Sequence, residues 1–474
     1  MIEGLKPYPM YKKLGLPWLA EIPGHWGSSP VKQEFVIQLG KMLQNAPRST
    51  ADVPVPYLKS QHVQWSGVRT IDLPKMWATP SDLRQFEVRT GDLLVCEGGE
   101  GGRCAVVTSL PSSAIIQNAL HRVRQRADGD NRFLAYAMAV ISSLGWFLAV
   151  SSKATIAHFT KDKFSRMEIP LPPPDEQTAI VRFLDHANGR LGRAIRAKKK
   201  LIALLNEQKQ AIIHRAVTRG LDPDVPLKPS GIPWLGDIPQ HWEVVSLRMR
   251  YSVELGKMLD TKRLTGCYPV PYLRNRDVQW DRVMISDLPV MDIAPSEFDR
   301  YTRKPGDMLV CEGGQVGRSA FWAGALPACG FQKALHRLRF LDGNRDLPRF
   351  LFYQIRLAAA RGVFAADGNE NTFAHLTCEK LRRHRFAFPP LAEQKAIVRT
   401  LDDAAQGPDI VSGLLDREVN LLREYRTRLV ADVVTGKLDV REAAARLPED
   451  DVPESVEHDA GLDEEAETAA EVAI

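Results

Sequence analysis

The sequence has little that would suit a membrane protein, a disulfide-rich secreted protein or a zinc-binding protein. Its 474 residues include only six cysteines, widely scattered and without a CxxC pair, so neither a disulfide framework nor a zinc knuckle is indicated. No apolar run reaches the roughly 18 residues that a membrane-spanning helix needs. No apolar segment follows the first lysines as it would in a signal peptide. We therefore expect a multidomain cytoplasmic protein with free thiols, no metal site and no membrane contact.

The motifs of nucleotide-dependent and methyl-transferring enzymes are also missing. The sequence has no GxxxxGK[ST] and no GxGxxG that opens a helix, which leaves no basis for an ATP or dinucleotide site. It also lacks an [ND]PP[FYW] loop, which a methyltransferase acting on an exocyclic amine would need to hold its flipped base. We expect a chain with no catalytic residues and no cofactor of its own.

Acidic residues are unevenly distributed along the chain. Residues 441–474 hold twelve acidic residues against two arginines, a net charge of −10. Of the 63 basic and 58 acidic residues in the whole sequence, 61 and 46 therefore lie in residues 1–440, which carry +15. A basic body suits a polyanion such as DNA, although a charge surplus also serves solubility alone. The acidic, Ala-rich tail has little to bury and is predicted to be disordered.

The sequence does contain an internal repeat, with an offset of 215 to 217 residues. The recurring segments are LPWLAEIPGHW (16–26) and IPWLGDIPQHW (232–242), PVPYLKSQHVQW (54–65) and PVPYLRNRDVQW (269–280), GDLLVCEGG (91–99) and GDMLVCEGG (306–314), QNALHRVR (117–124) and QKALHRLR (332–339), and DEQTAIVRFLD (175–185) and AEQKAIVRTLD (392–402). Because the offset drifts by only one or two residues, we interpret the repeat as a duplicated pair of domains with small loop changes.

Each copy has two parts that differ in composition and in predicted secondary structure. The first part mixes short β-rich runs, Gly and Pro punctuation and an Ala-rich helical stretch, which predicts a globular α/β or α+β domain. The second part is predicted to be helical. The expected boundaries are a first globular domain at 1–172, a helical region at 173–222, a second globular domain at 223–389, a second helical region at 390–440, and the acidic tail at 441–474.

The helical regions have coiled-coil spacing. Seven of ten positions in a heptad register from Val181 to Ile212 are apolar, and an acidic first turn follows the prolines of LPPP (171–174). Glycines at 189 and 192, and Gly-Pro at 407–408, are predicted to break each region into a short and a long helix. One copy alone could be an amphipathic helix packed on its own domain, but the repetition favours mutual pairing.

Two features shared by the copies could have either a binding or catalytic role or a purely structural one. The glycine-rich loops EGGEGGRC (97–104) and EGGQVGRS (312–319) fit no known phosphate motif. They are interpreted as turns, with the alternative that Arg103 and Arg318 approach a DNA phosphate. The other feature is a cysteine and a histidine at equivalent positions in each copy (Cys96 with His121, Cys311 with His336). They could form a nucleophilic pair, but a buried thiol and a hydrogen-bonded core histidine are the commoner situation.

Two segments differ between the copies in a way that suits sequence reading. Within the PVPYL…VQW framework, residues 59–62 and 274–277 carry side chains of the types that bind base edges. The second segment follows the helical stretch and supplies lysines for phosphate contacts together with asparagines. The candidate DNA-binding residues are Lys59, Ser60, Gln61, His62, Lys153, Lys161 and Lys163 in the first copy, Arg274, Asn275, Arg276, Asp277, Asn369, Asn371 and Lys380 in the second, and Arg103 and Arg318 in the glycine-rich loops. Any one of them could instead be a solvated polar residue.

In this order and twice over, the motifs resemble the specificity subunits of type I restriction-modification enzymes. The resemblance covers the chain up to about residue 440 and is carried by four features: the IPxHW opening of each half, the G-D-x-L strand, the PPxxEQxAI helix start, and the V-T…L-D helix end. It implies two α/β (α+β) target-recognition domains joined by long antiparallel coiled-coil helices with pseudo-two-fold symmetry. The acidic tail is not part of the family pattern.

The resemblance also implies a function and a set of partners. A specificity subunit reads a bipartite, gapped target in double-stranded DNA and assembles with two methyltransferase subunits and with restriction subunits that translocate DNA. S-adenosylmethionine, ATP and magnesium would then belong to those partners. The domain relationship predicts half-sites that are inverted relatives, a gapped and imperfect palindrome. A stand-alone DNA-binding regulator or an interaction scaffold with the same duplicated build is the alternative.

Overall fold

The computed structural model describes residues 5–16, 18–147, 159–259, 266–364 and 375–448. The chain divides into two compact units, the first formed by residues 1–198 and 417–474 and the second by residues 199–416. Each unit contains one mixed α/β body and segments of both long helices. The division therefore passes through both helical regions, so each unit is completed by helix segments that are distant in sequence.

The first body contains thirteen strands within the described residues. They are β1 (Tyr11–Leu16), β2 (Leu19–Pro23), β3 (Gly27–Pro30), β4 (Phe35–Leu39), β5 (Val53–Leu58), β6 (Val63–Gln64), β7 (Gly67–Val68), β8 (Lys75–Ala78), β9 (Leu93–Cys96), β10 (Cys104–Val106), β11 (Ile115–Ile116), β12 (Leu120–Gln125) and β13 (Glu168–Leu171). A four-stranded antiparallel sheet has the order β10-β9-β12-β4, and a three-stranded sheet has the order β11-β5-β8, in which β11 and β5 are parallel.

The second body repeats this topology. Its strands are β14 (Leu227–Pro229), β15 (Asp237–Pro239), β16 (Glu243–Ser246), β17 (Tyr251–Leu255), β18 (Pro269–Leu273), β19 (Val278–Gln279), β20 (Arg282–Val283), β21 (Val290–Asp292), β22 (Met308–Cys311), β23 (Ser319–Phe321), β24 (Gly330–Phe331), β25 (Leu335–Phe340) and β26 (Arg385–Phe388). The sheets have the orders β17-β25-β22-β23 and β21-β18-β24. Both bodies therefore have the same strand order, as expected from the sequence repeat.

The helices comprise short elements in the bodies and two long helices. They are α1 (Val31–Glu34), α2 (Pro80–Phe86), α3 (Asn131–Ser143), α4 (Lys161–Arg166), α5 (Pro174–Arg219), α6 (Phe298–Tyr301), α7 (Pro348–Ala360), α8 (Cys378–Arg383), α9 (Leu391–Val434) and α10 (Arg441–Ala445). Among these, none has the length and hydropathy that a bilayer crossing requires.

The predicted helix breaks are wrong. α5 continues through both glycines over 46 residues, and α9 continues through Pro408 over 44 residues. A proline removes one backbone hydrogen bond and crowds the preceding turn. That cost is local, and α5 contacts α9 on both sides of the proline: Leu401 shares a core with Val217, and Asp409 pairs with Lys209.

Within each unit the long helices pack antiparallel. In the first unit, residues early in α5 such as Leu184 share a core with residues late in α9 such as Val433. In the second unit, Val217 near the end of α5 shares a core with Leu401 near the start of α9. This confirms the predicted fold class of duplicated α/β bodies with paired long helices.

The glycine-aspartate pair of the G-D-x-L strand fixes the central sheet. Gly91 has a φ of +91°, a left-handed conformation that favours glycine. The next residue, Asp92, accepts a hydrogen bond from the Arg89 backbone N–H at 2.7 Å and pairs with Arg124 on the adjacent strand at 2.6 Å. The second copy repeats this with Gly306, Lys304, Asp307 and Arg339. The motif therefore ties β9 to β12, and β22 to β25.

The Glu-Gln pair at the start of each long helix joins that helix to its body. The buried Glu176 accepts hydrogen bonds from Trp26 Nε1 at 3.0 Å and lies 2.8 Å from His25 Nε2. Its neighbour Gln177 donates to the carbonyl of Asp128 and accepts from the N–H of Asp130. The equivalent contacts are made by Glu393 with Trp242 and His241, and by Gln394 with Arg345 and Leu347. The IPxHW and PPxxEQ motifs are therefore two halves of one junction.

Candidate nucleic-acid interface

Four loops meet at one edge of each body. In the first body they are residues 40–43 after β4, residues 59–62 after β5, the glycine-rich loop 97–103 after β9, and the turn 117–119 before β12. The carbonyl of Ala119 in that turn accepts hydrogen bonds from Ser60 Oγ at 3.2 Å and from the Glu97 N–H at 2.9 Å. The Asn118 N–H binds the carbonyl of Lys41 at 2.7 Å. In the second body the equivalent loops are residues 256–259, 274–277, 312–318 and 332–334. We call the four loops of each body its loop edge.

The first predicted reading segment forms a short 3-10 helix, Ser60–His62, at the loop edge. His62 is buried, and its Nδ1 accepts a hydrogen bond from the Lys59 backbone N–H at 3.1 Å. Burial lowers the pKa of His62, with further contributions from Lys59 and Arg69. Ser60 turns toward the 117–119 turn, whereas Gln61 is exposed. Of the three residues in this helix, Ser60 is half-buried, His62 is buried and Gln61 is exposed.

The second copy has the same geometry with different side chains. The 3-10 helix is Asn275–Asp277, and the buried Asp277 accepts the Arg274 backbone N–H at 2.7 Å. The Arg274 side chain also pairs with Asp277, at 2.9 Å. Asn275 donates to the carbonyls of Gly313 and Ala334. Arg276, equivalent to Gln61, is exposed, although its Nε lies 3.9 Å from Asp277.

The glycine-rich loop supports the 3-10 helix in each copy. The carbonyl of Ser60 accepts hydrogen bonds from Arg103 at 3.2 Å and from the Cys96 thiol at 3.8 Å. The carbonyl of Asn275 is held in the same way by Arg318 and Cys311. These contacts assign both arginines a positioning role and leave any phosphate contact by them a prediction.

The paired cysteine and histidine belong to this support. Burial raises the pKa of the Cys96 thiol, so the group is held as a thiol rather than as a nucleophilic thiolate. His121 Nε2 contacts the carbonyl of Phe159 at 3.1 Å, and burial lowers its pKa. His336 contacts the carbonyl of Leu376 at 2.6 Å in the second copy. The structural interpretation therefore accounts for both residues.

The second predicted segment is only partly described. Lys153, Asn369 and Asn371 lie outside the described residues. Lys161 and Lys163 lie in α4, and Lys380 lies in α8; Lys161 is exposed and the other two are half-buried. Phe159 and Leu376, just before these helices, donate their N–H groups to the carbonyls of Glu97 and Glu312. The described end of each segment therefore joins the glycine-rich loop of its own body.

The first of the four loops was not predicted from the sequence. The tetrapeptide GKML occupies residues 40–43 and recurs at residues 256–259. The repeat itself was the signal that could have revealed it. Lys41 pairs with Asp82 at 2.9 Å, and Lys257 pairs with Glu297 at 2.5 Å. The following methionines, Met42 and Met258, are strongly exposed.

The fold defines a duplicated protein with two equivalent α/β bodies, each with its own loop edge, and with paired long helices. The family model for the type I restriction modification DNA specificity domain matches residues 84–206 and 239–416, more than half of the chain. The chain therefore belongs to the type I restriction-modification DNA specificity family. In the described ranges, no group of three or more histidine, cysteine, aspartate or glutamate residues could hold a metal ion.

Curated relatives and a solved structure agree with this assignment. The chain is 23% identical to the type I restriction enzyme MjaVIII specificity subunit of Methanocaldococcus jannaschii, covering 74% of this chain and 79% of the relative. It is 21% identical to the type I restriction enzyme EcoKI specificity subunit of Escherichia coli K12, covering 61% and 62%. A chain from a structure of type I R-M complex assembly and conformational transition matches with a TM-score of 0.64 at 16% identity, covering 87% of this chain and 98% of that chain. That structural match supports the fold.

Proposed function

We propose that this chain reads a bipartite, gapped target in double-stranded DNA, with each body reading one half-site. The observation that carries the proposal is the loop edge, which both bodies build on the same framework while exposing different side chains. Gln61 in the first body can pair with adenine, and Arg276 in the second can pair with guanine. A shared framework that carries different exposed side chains at equivalent positions suits two half-sites that are related but not identical.

The remaining predicted residues take other roles in this proposal. In each body we call the 3-10 helix, Ser60–His62 or Asn275–Asp277, the reading helix. Its shape is set by residues 60, 62, 275 and 277 together with Arg103 and Arg318. Lys59 and Lys161, with the half-buried lysines of α4 and α8, supply charge for phosphate contacts that set orientation. Arg274, bound to Asp277, holds the second reading helix. The basic body, at +15 for residues 1–440, adds attraction that falls with salt.

We further propose that the chain directs partner subunits to the site and performs no chemistry itself. Two methyltransferase subunits would carry S-adenosylmethionine, and restriction subunits would carry ATP and magnesium. The isolated chain should then show no methylation, ATPase or cleavage activity. Turnover by a contaminant-free preparation of this chain would contradict that part of the proposal.

Adenine methylation mapped across the host genome, with and without this gene, tests the function directly. We expect loss of methylation at a single gapped motif when the gene is deleted. The chain should also co-purify with a methyltransferase subunit. Unchanged methylation together with regulated transcription near bound sites would instead identify a stand-alone regulator. Partners without any DNA preference would identify a scaffold.

A further inference from the structure

Two strongly exposed methionines occupy equivalent positions at the loop edge. Met42 is 72% exposed and Met258 is 64% exposed. They are the third residues of the two GKML segments, which are identical over four residues in the two copies. A large apolar side chain left in water at the same place in both bodies indicates a contact surface more strongly than a single exposed residue does.

The backbone that carries each methionine is held in place. A Cβ on Gly40 would lie 2.3 Å from the Gln117 backbone, and a Cβ on Gly256 would lie 2.2 Å from the Gln332 carbonyl oxygen. Only glycine permits so close an approach. The next residue, Lys41, donates to the carbonyl of Ile116 at 2.9 Å and accepts from the Asn118 N–H. Lys257 is held in the same way, by Phe331 and Lys333. Each methionine therefore extends from a fixed segment.

The same turn connects each methionine to the reading helix. Ala119 and Ala334 have φ angles of +117° and +97°, which are unusual for alanine. Their carbonyls accept hydrogen bonds from Ser60 Oγ and Asn275 Nδ2 respectively. The side chain of Met42 is also contacted by Asn118, whose Nδ2 lies 3.1 Å from its Sδ. The methionine and the exposed reader of each body thus belong to one connected surface.

We infer that Met42 and Met258 contact thymine C5 methyl groups in the half-site read by their own body. This inference rests on the proposed function. A thymine methyl is the apolar group of the major groove, where glutamine and arginine also read base edges. Methionine is unbranched and polarizable, so it adapts to an apolar contact without strict geometry. Polar readers and an apolar reader on one surface would distinguish more base pairs than polar readers alone.

Uracil substitution tests the inference one methyl group at a time. The assembled complex with its methyltransferase is bound to duplexes of the mapped target in which each thymine in turn is replaced by uracil. For the wild type we expect about fourfold weaker binding at one position in each half-site, the loss expected for one buried methyl group. Met42→Ala should abolish this discrimination in one half-site and Met258→Ala in the other.

Two other exposed methionines provide matched controls. Met10, just before β1, is 72% exposed, and Met249, in the 3-10 helix Leu247–Met249, is 64% exposed. Met10→Ala and Met249→Ala should retain both thymine preferences. The inference is overturned if the wild type shows no thymine preference, if both loop-edge variants retain it, or if those variants lose the methyltransferase instead. A wild-type complex that binds no preferred sequence contradicts the proposed function itself.

Discussion

At the residue scale, the two residues that we propose as readers can be exchanged. Gln61 and Arg276 occupy the middle of equivalent 3-10 helices, and the residue after each is buried. Gln61→Arg should shift one position of the first half-site from adenine toward guanine, and Arg276→Gln should do the reverse in the second. Each contact is worth about 1–3 kcal/mol, and selection from a randomised duplex library measures the shift.

The added charge of Gln61→Arg needs its own control. Gln125 is an exposed glutamine at the end of β12, so Gln125→Arg adds the same charge to the same body. It should raise non-specific affinity without changing the selected sequence. If Gln61→Arg and Gln125→Arg select the same sequence as the wild type, residue 61 is not a reader.

A second prediction concerns the effect of pH on His62 and Asp277, the two residues that cap the reading helices. His62 caps the first reading helix in its neutral form, because Nδ1 must accept the Lys59 N–H. Its pKa is lowered in the folded chain, so its contribution to stability is present above the ordinary histidine value of about 6.5 and is lost as the pH falls through the lowered value. Asp277 accepts the equivalent bond as a carboxylate. Acidification below pH 6.5 should therefore weaken preference in the first half-site and spare the second.

The equivalent residue supplies the control for this pH effect. His62→Asp places the cap of the second copy into the first and should make first-half preference independent of pH between about 5 and 7. Lys59 and Arg69, which contribute to the lowered pKa of His62 in the native chain, are retained in this variant. Equal pH dependence of both half-sites in the wild type would contradict the prediction.

The sequence could single out the segment proposed to read DNA, but not which of its side chains is exposed. Residues 59–62 stand out because they differ from 274–277 inside a shared framework. Which of the four side chains faces solvent depends on the 3-10 turn and on hydrogen bonds from residues 43 and 59 positions away in sequence, such as Arg103 and Ala119 for Ser60. Those partners become neighbours only in the folded sheet.

At the element scale, the long helices show which sequence signals were reliable. The heptad spacing predicted pairing correctly because it describes the buried face of the whole helix. Glycine and proline predicted breaks incorrectly because their cost is local, about 1 kcal/mol for glycine and about 3 for proline. The core that each helix segment shares with its partner outweighs such costs.

Charged residues in the helix seam should set the pairing register. Lys209, only 8% exposed, pairs with Asp409 at 2.5 Å. Lys209→Asp should destabilise the second unit by about 1–3 kcal/mol, because it opposes two carboxylates at a partly buried site. Lys209→Asp with Asp409→Lys should recover part of that loss. Thermal unfolding measures both effects.

An ion pair in the first unit whose lysine is more exposed is the matched comparison. Lys198 pairs with Glu418, and both are partly exposed to solvent. Lys198→Asp should therefore cost less, at most about 1 kcal/mol. If both substitutions cost the same, or if the double exchange at 209 and 409 recovers nothing, the pair at Lys209 does not set the register.

At the scale of the whole molecule, duplication was the most predictable property. The repeated motifs identify the contacts that build each half. The aspartate of the G-D pair binds the arginine of the adjacent strand in the sheet, and the glutamate of the Glu-Gln pair binds the opening histidine and tryptophan. The strand order within each body was not predictable, because pairs such as β5 with β11 join segments more than fifty residues apart.

The final prediction concerns the gap between half-sites, which we propose the helix pair determines. The sequence predicts a long helical segment in each copy, and α5 and α9 are joined by the ion pair of Lys198 with Glu418 in the first unit and by that of Lys209 with Asp409 in the second. Deleting residues 200–206 and 410–416 together removes one heptad from each helix and keeps both pairs. It shortens each helix by about 10 Å, or roughly three base pairs.

Methylation mapping of the double deletion should then show a shorter gap between unchanged half-sites. Either deletion alone should bring one ion pair out of register and lower the melting temperature. A stable double deletion that methylates the original gap would show that the helices do not set the spacing.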